Sequence, residues 1–362
     1  MAVVCFTIFS LLRCFFMVKR TQKWDILKFF LMFTVVLGHF IDYHDTECDF
    51  ARGIFLFIYS FHMPLFIFIS GMFSKRTVNE KRWNKILGYL VVYFAAKIFI
   101  FLYYLIFKQV LYFRVFGETG LAWFMFALFA FGVITVAVRN YKPQAVLIIS
   151  ILLALFAGYD ENVNSELVLS RIIVWFPFYY AGYCTDPKKL EKVSRSKWLK
   201  LLSVIIIAAA ITVAITVPET YIVRPMFTAQ HPYSALGEAA DFGFLIRLAC
   251  YAVTTLICAA LIILTPDKLS KKSFIAKRGQ YTLPVYLFHY IIMLLIYDTF
   301  DAHEYFSGEQ EMYLLIPISL AVTLLLSNKY LNKFVQLIYN LPETARKKPK
   351  ETENNPKEVV KL

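Results

Sequence analysis

The chain is predicted to be an all-α, polytopic integral membrane protein of about ten transmembrane helices with both termini cytoplasmic. Three observations carry this. Of 362 residues, 59% are hydrophobic and only 17% charged, with a mean hydropathy of +0.60, which excludes a soluble domain of ordinary composition. Apolar runs near the ~20 residues that cross a bilayer recur along the chain. They are read at about 24–43, 53–73, 86–107, 121–138, 144–158, 167–184, 199–217, 244–264, 281–300 and 313–331. Lysine and arginine in the segments between them divide 29 to 5, the five being Arg52, Lys108, Arg114, Arg171 and Arg224. Short cytoplasmic loops hold the excess of positive charge, so an even number of spans with both ends inside is expected. The formal charge of +13 follows from that topology and gives little reason to invoke nucleic acid.

Taken in order, residues 1–17 form an apolar leader that is short, contains Arg13 and runs into the basic VKRTQK. A natural start at Met17 is the preferred reading, with a signal-like or interfacial segment as the alternatives. Residues 18–335 read as the membrane domain and 336–362 as a disordered, charged cytoplasmic tail.

The span at 24–43 organises the rest. It holds three titratable groups before its end, Asp25, Lys28 and His39. At 100° per residue Lys28 and His39 return to within about 20° of each other, with Asp25 about 40° away. All three share one face, and Lys28 lies roughly 16 Å along the helix from His39. Ionisable groups facing lipid are costly, so that face is expected to point into a bundle or a wet cavity. Asp25 and Lys28 read either as a salt-bridged pair at the membrane edge or as part of a site.

In the second span, IYSFHMPLFIFISGMF places His62 at a depth similar to His39. His62 is either a core imidazole bonded to a carbonyl or a cavity residue. Pro64 can loosen the hydrogen-bond ladder, and Ser70 with Gly71 permits close helix contact. The following inner loop carries Lys75, Arg76, Lys81, Arg82 and Lys85. Positive-inside bias explains these charges, and a phosphate-bearing cytosolic ligand would use them. Lys97, near the middle of the third span, is a functional suspect by depth alone. Trp123 opens its span as an interfacial aromatic or a sugar-stacking platform. Arg171, a turn into its span, binds an acceptor or snorkels, and His289 serves helix packing or catalysis. The six cysteines form no framework, and no pair has metal-ligand spacing with a histidine nearby. No metal and no permanently bound cofactor is expected.

Taken together, five segments resemble the acyltransferase-3 family of membrane O-acyltransferases, most closely its fucose 4-O-acetylase-like branch. They are Asp25, Lys28 and His39; FHMPLFIFISGMF (Phe61 to Phe73); LAWFMFAL with Trp123 and Phe124; RIIVWFPFYYAGY with Arg171, Pro177, Phe178 and Gly182; and RGQYTLPVYLFH with Gly279, Thr282, Tyr286 and His289. Two departures stand out. Lysine occupies position 28 where much of the family has arginine, which removes bidentate recognition. The stretch after the last span reads as a charged tail and not as the esterase-like domain that some members append, so the membrane domain or a separate partner is expected to reach the acceptor.

The resemblance implies transfer of an acetyl group from cytosolic acetyl-CoA to a hydroxyl of a cell-surface polysaccharide or lipid-linked sugar precursor, in the plasma membrane. It implies His39 as general base or acyl carrier, supported by Asp25 and Lys28. Arg76, Arg82, Lys85, Ser70 and His289 are assigned to the donor. His62, Trp123, Arg171 and Tyr286 are assigned to the carbohydrate acceptor. A homo-oligomer or a glycan-assembly partner is compatible with this. The alternative from another class is a transporter or flippase for a sugar, ion or acyl carrier; the inverted repeats and paired broken helices it would favour are not visible in the sequence. A glycan polymerase would call for a large outer loop with several arginines, whereas residues 218–243 hold only Arg224.

Overall fold

The structure, a computed structural model, describes residues 21–44, 48–111, 113, 120–163, 168–270, 273–300, 306 and 309–346. The leader at 1–17 and residues 347–362 lie outside the described residues. All secondary structure among the described residues is helical.

The first helix, α1 (Gln22–Asp42), runs through the centre of the bundle. Its Leu31, Val36, Phe40 and Ile41 are sequestered, as the unbroken apolar run requires. The second expected span is broken into α2 (Asp49–Tyr59) and α3 (His62–Asn79). Pro64 is the cause: it has no N–H to give Ser60, four residues back. The orphaned Ser60 carbonyl instead accepts from the Thr254 hydroxyl at 2.7 Å.

There follow α4 (Trp83–Tyr103), which ends in a wider turn over Tyr104–Lys108, then α5 (Trp123–Val138), α6 (Pro143–Phe156), α7 (Leu169–Cys184), the short α8 (Pro187–Val193), α9 (Lys197–Thr216) and α10 (Gly243–Leu264). The chain closes with α11 (Phe274–Arg278), α12 (Thr282–Leu294), α13 (Leu315–Leu326), α14 (Lys329–Tyr339) and α15 (Leu341–Arg346).

Among the described residues every expected apolar run is largely helical, and seven helical stretches there are long and apolar enough to cross a membrane, or eight if a bent pair counts as one span. The fifth and sixth runs yield α6, continued by one tight turn to Tyr159, and the 16-residue α7, both shorter than an upright crossing requires. The tenth run turns by 67° between α13 and α14. Asn328 starts the new helix there, its side chain accepting from the amides of Tyr330 and Leu331. Helix also continues past residue 336, to Arg346. Lys85 holds that end, donating to Asn340 at 2.8 Å and pairing with Glu343 at 2.8 Å.

Helices α3 and α7 cross in close contact. A Cβ on Gly71 would lie 2.0 Å from the Tyr179 carbonyl oxygen, and one on Gly182 would lie 2.0 Å from that of Phe68. Only glycine fits at either crossing, the membrane form of small-residue helix contact. By contrast α6 and α9 leave Ile148, Leu152, Leu201 and Ile205 exposed, the surface expected to meet lipid.

Candidate active site

Two adjoining cavities lie along one face of α1. The larger, of about 1060 Å³, is walled by Asp25, Lys28 and Met32 of α1, by Phe66, Ile69, Ser70 and Ser74 of α3, and by residues of α4, α5, α7, α8 and α12. Its mouth is polar, with exposed Asp186 and Lys188 beside Thr21. The smaller, of about 20 Å³, holds room for one small group and is walled by His39, His289, Trp123, Val35 and Leu121 among others. Met32, Phe66, Phe124 and Tyr286 belong to both walls. Positions 25, 28, 32, 35 and 39 therefore form a single stripe, as the 3.6-residue period dictates, from the open mouth to His39.

At the outer part of the stripe, the Lys28 ammonium sits 2.9 Å from the Asp25 carboxylate. Asp25 is buried and Lys28 half-buried, so the pair places one cation on the cavity wall with its charge partly balanced. Gly279 packs on the backbone of Asp25, where an added Cβ would lie 1.8 Å from the carbonyl oxygen. Glu191 of α8 fixes the start of α1 by accepting from the Thr21 hydroxyl at 2.8 Å and from the Trp24 indole at 2.9 Å.

At the deep end, His39 is half-buried and makes no hydrogen bond among the described residues. Its ring lies 5.3 Å from that of His289 and 5.9 Å from that of Tyr290. His289 is wholly buried, and its Nδ1–H donates to the carbonyls of Val285 at 2.8 Å and Tyr286 at 2.9 Å. Those bonds fix the tautomer and leave Nε2 with a lone pair and no partner among the described residues. A buried acceptor left open beside a second imidazole is poised to take a hydrogen bond from a third group.

His289, assigned to the donor from the sequence, lies beside His39, the two ring centres 5.3 Å apart. Gly279, at the turn after α11, packs against α1 at Asp25, and α12 follows from Thr282. Ser70 lines the large cavity, and Tyr286 lies between the two cavities with its hydroxyl donating to Leu121 O at 2.6 Å.

The three inner-loop donor candidates are not brought to this site. Arg76 and Arg82 both bind Glu80, at 2.9 and 2.5 Å, and Lys85 is held by α15. The two guanidiniums hold the exposed Glu80 carboxyl below the usual carboxylate range. Lys188, which reasoning from sequence passed over, lies at the cavity mouth instead. Its signal was the Asp-Pro start of α8, where Asp186 caps the helix by accepting from the Lys188 amide.

Of the acceptor candidates, Trp123 is buried in the wall of the His39 cavity rather than lying in an interfacial belt. Arg171 stacks on it at 4.2 Å and on Trp175 at 5.8 Å, while its Nε donates to Thr228 O at 3.1 Å. His62 lies outside the lining of both cavities, and its Nδ1 donates to Ile58 O at 2.7 Å, so it is a core imidazole. Lys97 is buried with its ammonium 5.5 Å from the Tyr93 ring centre, away from both cavities.

A family model described as an acyltransferase domain, that of the acyltransferase-3 family, matches residues 21–327. The chain belongs to the acyltransferase-3 family. No curated protein and no solved structure matches it. The match spans every residue of both cavities, from Thr21 to His289, so this multi-pass membrane acyltransferase has its two-cavity stripe entirely within the family domain.

Proposed function

We propose that the acyltransferase moves an acetyl group from cytosolic acetyl-CoA to a hydroxyl of a cell-surface polysaccharide or lipid-linked sugar precursor, in the plasma membrane with both termini in the cytoplasm. The observation that carries this reading is the stripe from Asp25 and Lys28 to His39, which joins a cavity large enough for an extended thioester to a pocket of about one water's volume beside His39.

In this reading the phosphates of the donor stay at the mouth near Lys28 and Lys188, and the pantetheine arm runs past Ser70 toward Phe66 and Tyr286. Lysine acts there as a point charge, without a bidentate grip. The acceptor approaches His39 from the Trp123 side, where Arg171 stiffens the indole. A sugar hydroxyl is a weak nucleophile at neutral pH, so a general base is needed. His39 takes the hydroxyl proton as the oxygen attacks the thioester carbon. The carbon–sulfur bond breaks, and the departing thiolate takes the same proton from the imidazolium, leaving an ester, free coenzyme A and neutral His39. His289 is a positioning residue in this scheme, its Nε2 accepting from the His39 ring or the acceptor hydroxyl.

A two-step course through acetyl-His39 uses the same residues, and an acetylated His39 peptide in acid-quenched protein would distinguish it. The reaction class is tested by mass spectrometry of surface polysaccharide from cells with and without the gene. Loss of one acetyl mass per acceptor unit without the gene is the expected result; identical spectra together with altered export of the glycan would favour a transporter.

A further inference from the structure

A third cavity, of about 400 Å³, lies on the opposite side of α8 from the large one. It is bounded by Phe68 of α3, Leu147 of α6, Phe178 of α7, Leu190 and Val193 of α8, and Ile262 of α10. Its few polar groups are already spent. Ser194 Oγ donates to Leu190 O, Thr255 Oγ1 to Tyr251 O, the Tyr251 hydroxyl to Val174 O and the Cys258 thiol to Phe61 O. With its hydroxyl donors turned to backbone carbonyls and the rest of its lining apolar, the cavity offers a water few partners and suits hydrocarbon.

The α8 segment also supplies charge at one end of this apolar cleft. Lys189, Lys192 and Lys197 are exposed and form no ion pair among the described residues, and Trp198 is 81% exposed beside them. Clustered lysines next to an exposed tryptophan mark the level of lipid headgroups.

We propose that this cleft binds one acyl chain of an anionic phospholipid, whose phosphate is held by the exposed lysines of the α8 segment. The site has a mechanical consequence. Pro187, Lys188 and Glu191 wall the large cavity, whereas Leu190, Val193 and Ser194 wall the lipid cleft. One short helix therefore separates the two, and a lipid in the cleft steadies the wall that carries Lys188.

The test uses the full chain in nanodiscs of phosphatidylglycerol or phosphatidylcholine, re-extracted and weighed by native mass spectrometry. One phosphatidylglycerol per chain is expected to survive extraction, with phosphatidylcholine retained about tenfold less. Ala259→Trp, which fills the cleft, and the surface pair Lys189→Glu with Lys192→Glu are each expected to lower retention of phosphatidylglycerol about tenfold. Amide exchange across 187–196 is expected to slow in phosphatidylglycerol for the unmodified chain and not for Ala259→Trp. Equal retention of the two lipids, or retention that survives both variants, overturns the proposal. So does a lipid-free dimer that Ala259→Trp dissociates, since a second copy would then fill the cleft.

Discussion

At the scale of single residues, the candidate site keeps a few polar groups exposed to a cavity inside an apolar bundle. Lys28 and Lys188 face the large cavity, while Arg82 and Lys85 are committed to Glu80 and to α15. Lys28→Ala is therefore expected to raise the KM for acetyl-CoA about tenfold, the ~1.5–3 kcal/mol of a charged hydrogen bond setting the scale. Arg82→Ala combined with Lys85→Ala should change it less than about twofold, as exposed ion pairs contribute little. Steady-state kinetics in detergent would check both, and the reverse order would return the donor phosphates to the inner loop. Beside His39, the open Nε2 of His289 predicts a different signature. In the proposed scheme His289→Asn should lower kcat by about tenfold or more at an unchanged KM, because it would alter the His39 imidazole and not the proposed donor cavity. A rise in KM with kcat preserved would make His289 a donor contact.

At the scale of helices, geometry follows from where glycine and proline fall. The α3–α7 crossing leaves no space for a side chain at Gly71 or Gly182. Gly71→Ala and Gly182→Ala should each cost roughly 1–3 kcal/mol and lower the unfolding temperature in detergent, with an unchanged midpoint refuting so tight a contact. The stripe of Asp25, Lys28 and His39 was legible in the sequence because helical period alone fixes it. The placement of His289 beside His39 was not, because it is a contact between residues some 250 apart. Pro64 announced a loosened ladder, and the break at Ser60 followed. That Thr254 would cap the freed carbonyl could not be read locally. Likewise, the partner of Lys85 lay in a stretch whose polar composition reads as a tail, although it is helical to Arg346.

At the scale of the whole molecule, composition and charge asymmetry were enough for a helical membrane protein, whereas the number of crossings depends on helix length as well. Hydropathy counts apolar runs, whereas crossing also requires length, and α6, α7 and the bent α13–α14 pair fall short of a straight span. The amphipathic α14 fits a helix lying in the interface, with Leu337 and Tyr330 exposed on a helix that also carries Lys329 and Lys333. The proposed orientation puts the mouth of the large cavity in the cytosol. Cysteines introduced at Lys81 and Lys188 should thus react with an impermeant thiol reagent only in inside-out vesicles, and labelling in intact cells would invert the topology.

The central claim is that His39, at the closed end of a passage open to the donor, carries out acyl transfer. The most direct measurement is the acetyl content of the surface glycan in cells producing His39→Ala, alongside the amount of the variant in the membrane. Normal membrane abundance with acetylation abolished is the predicted result. Acetylation retained at the unmodified level would contradict it.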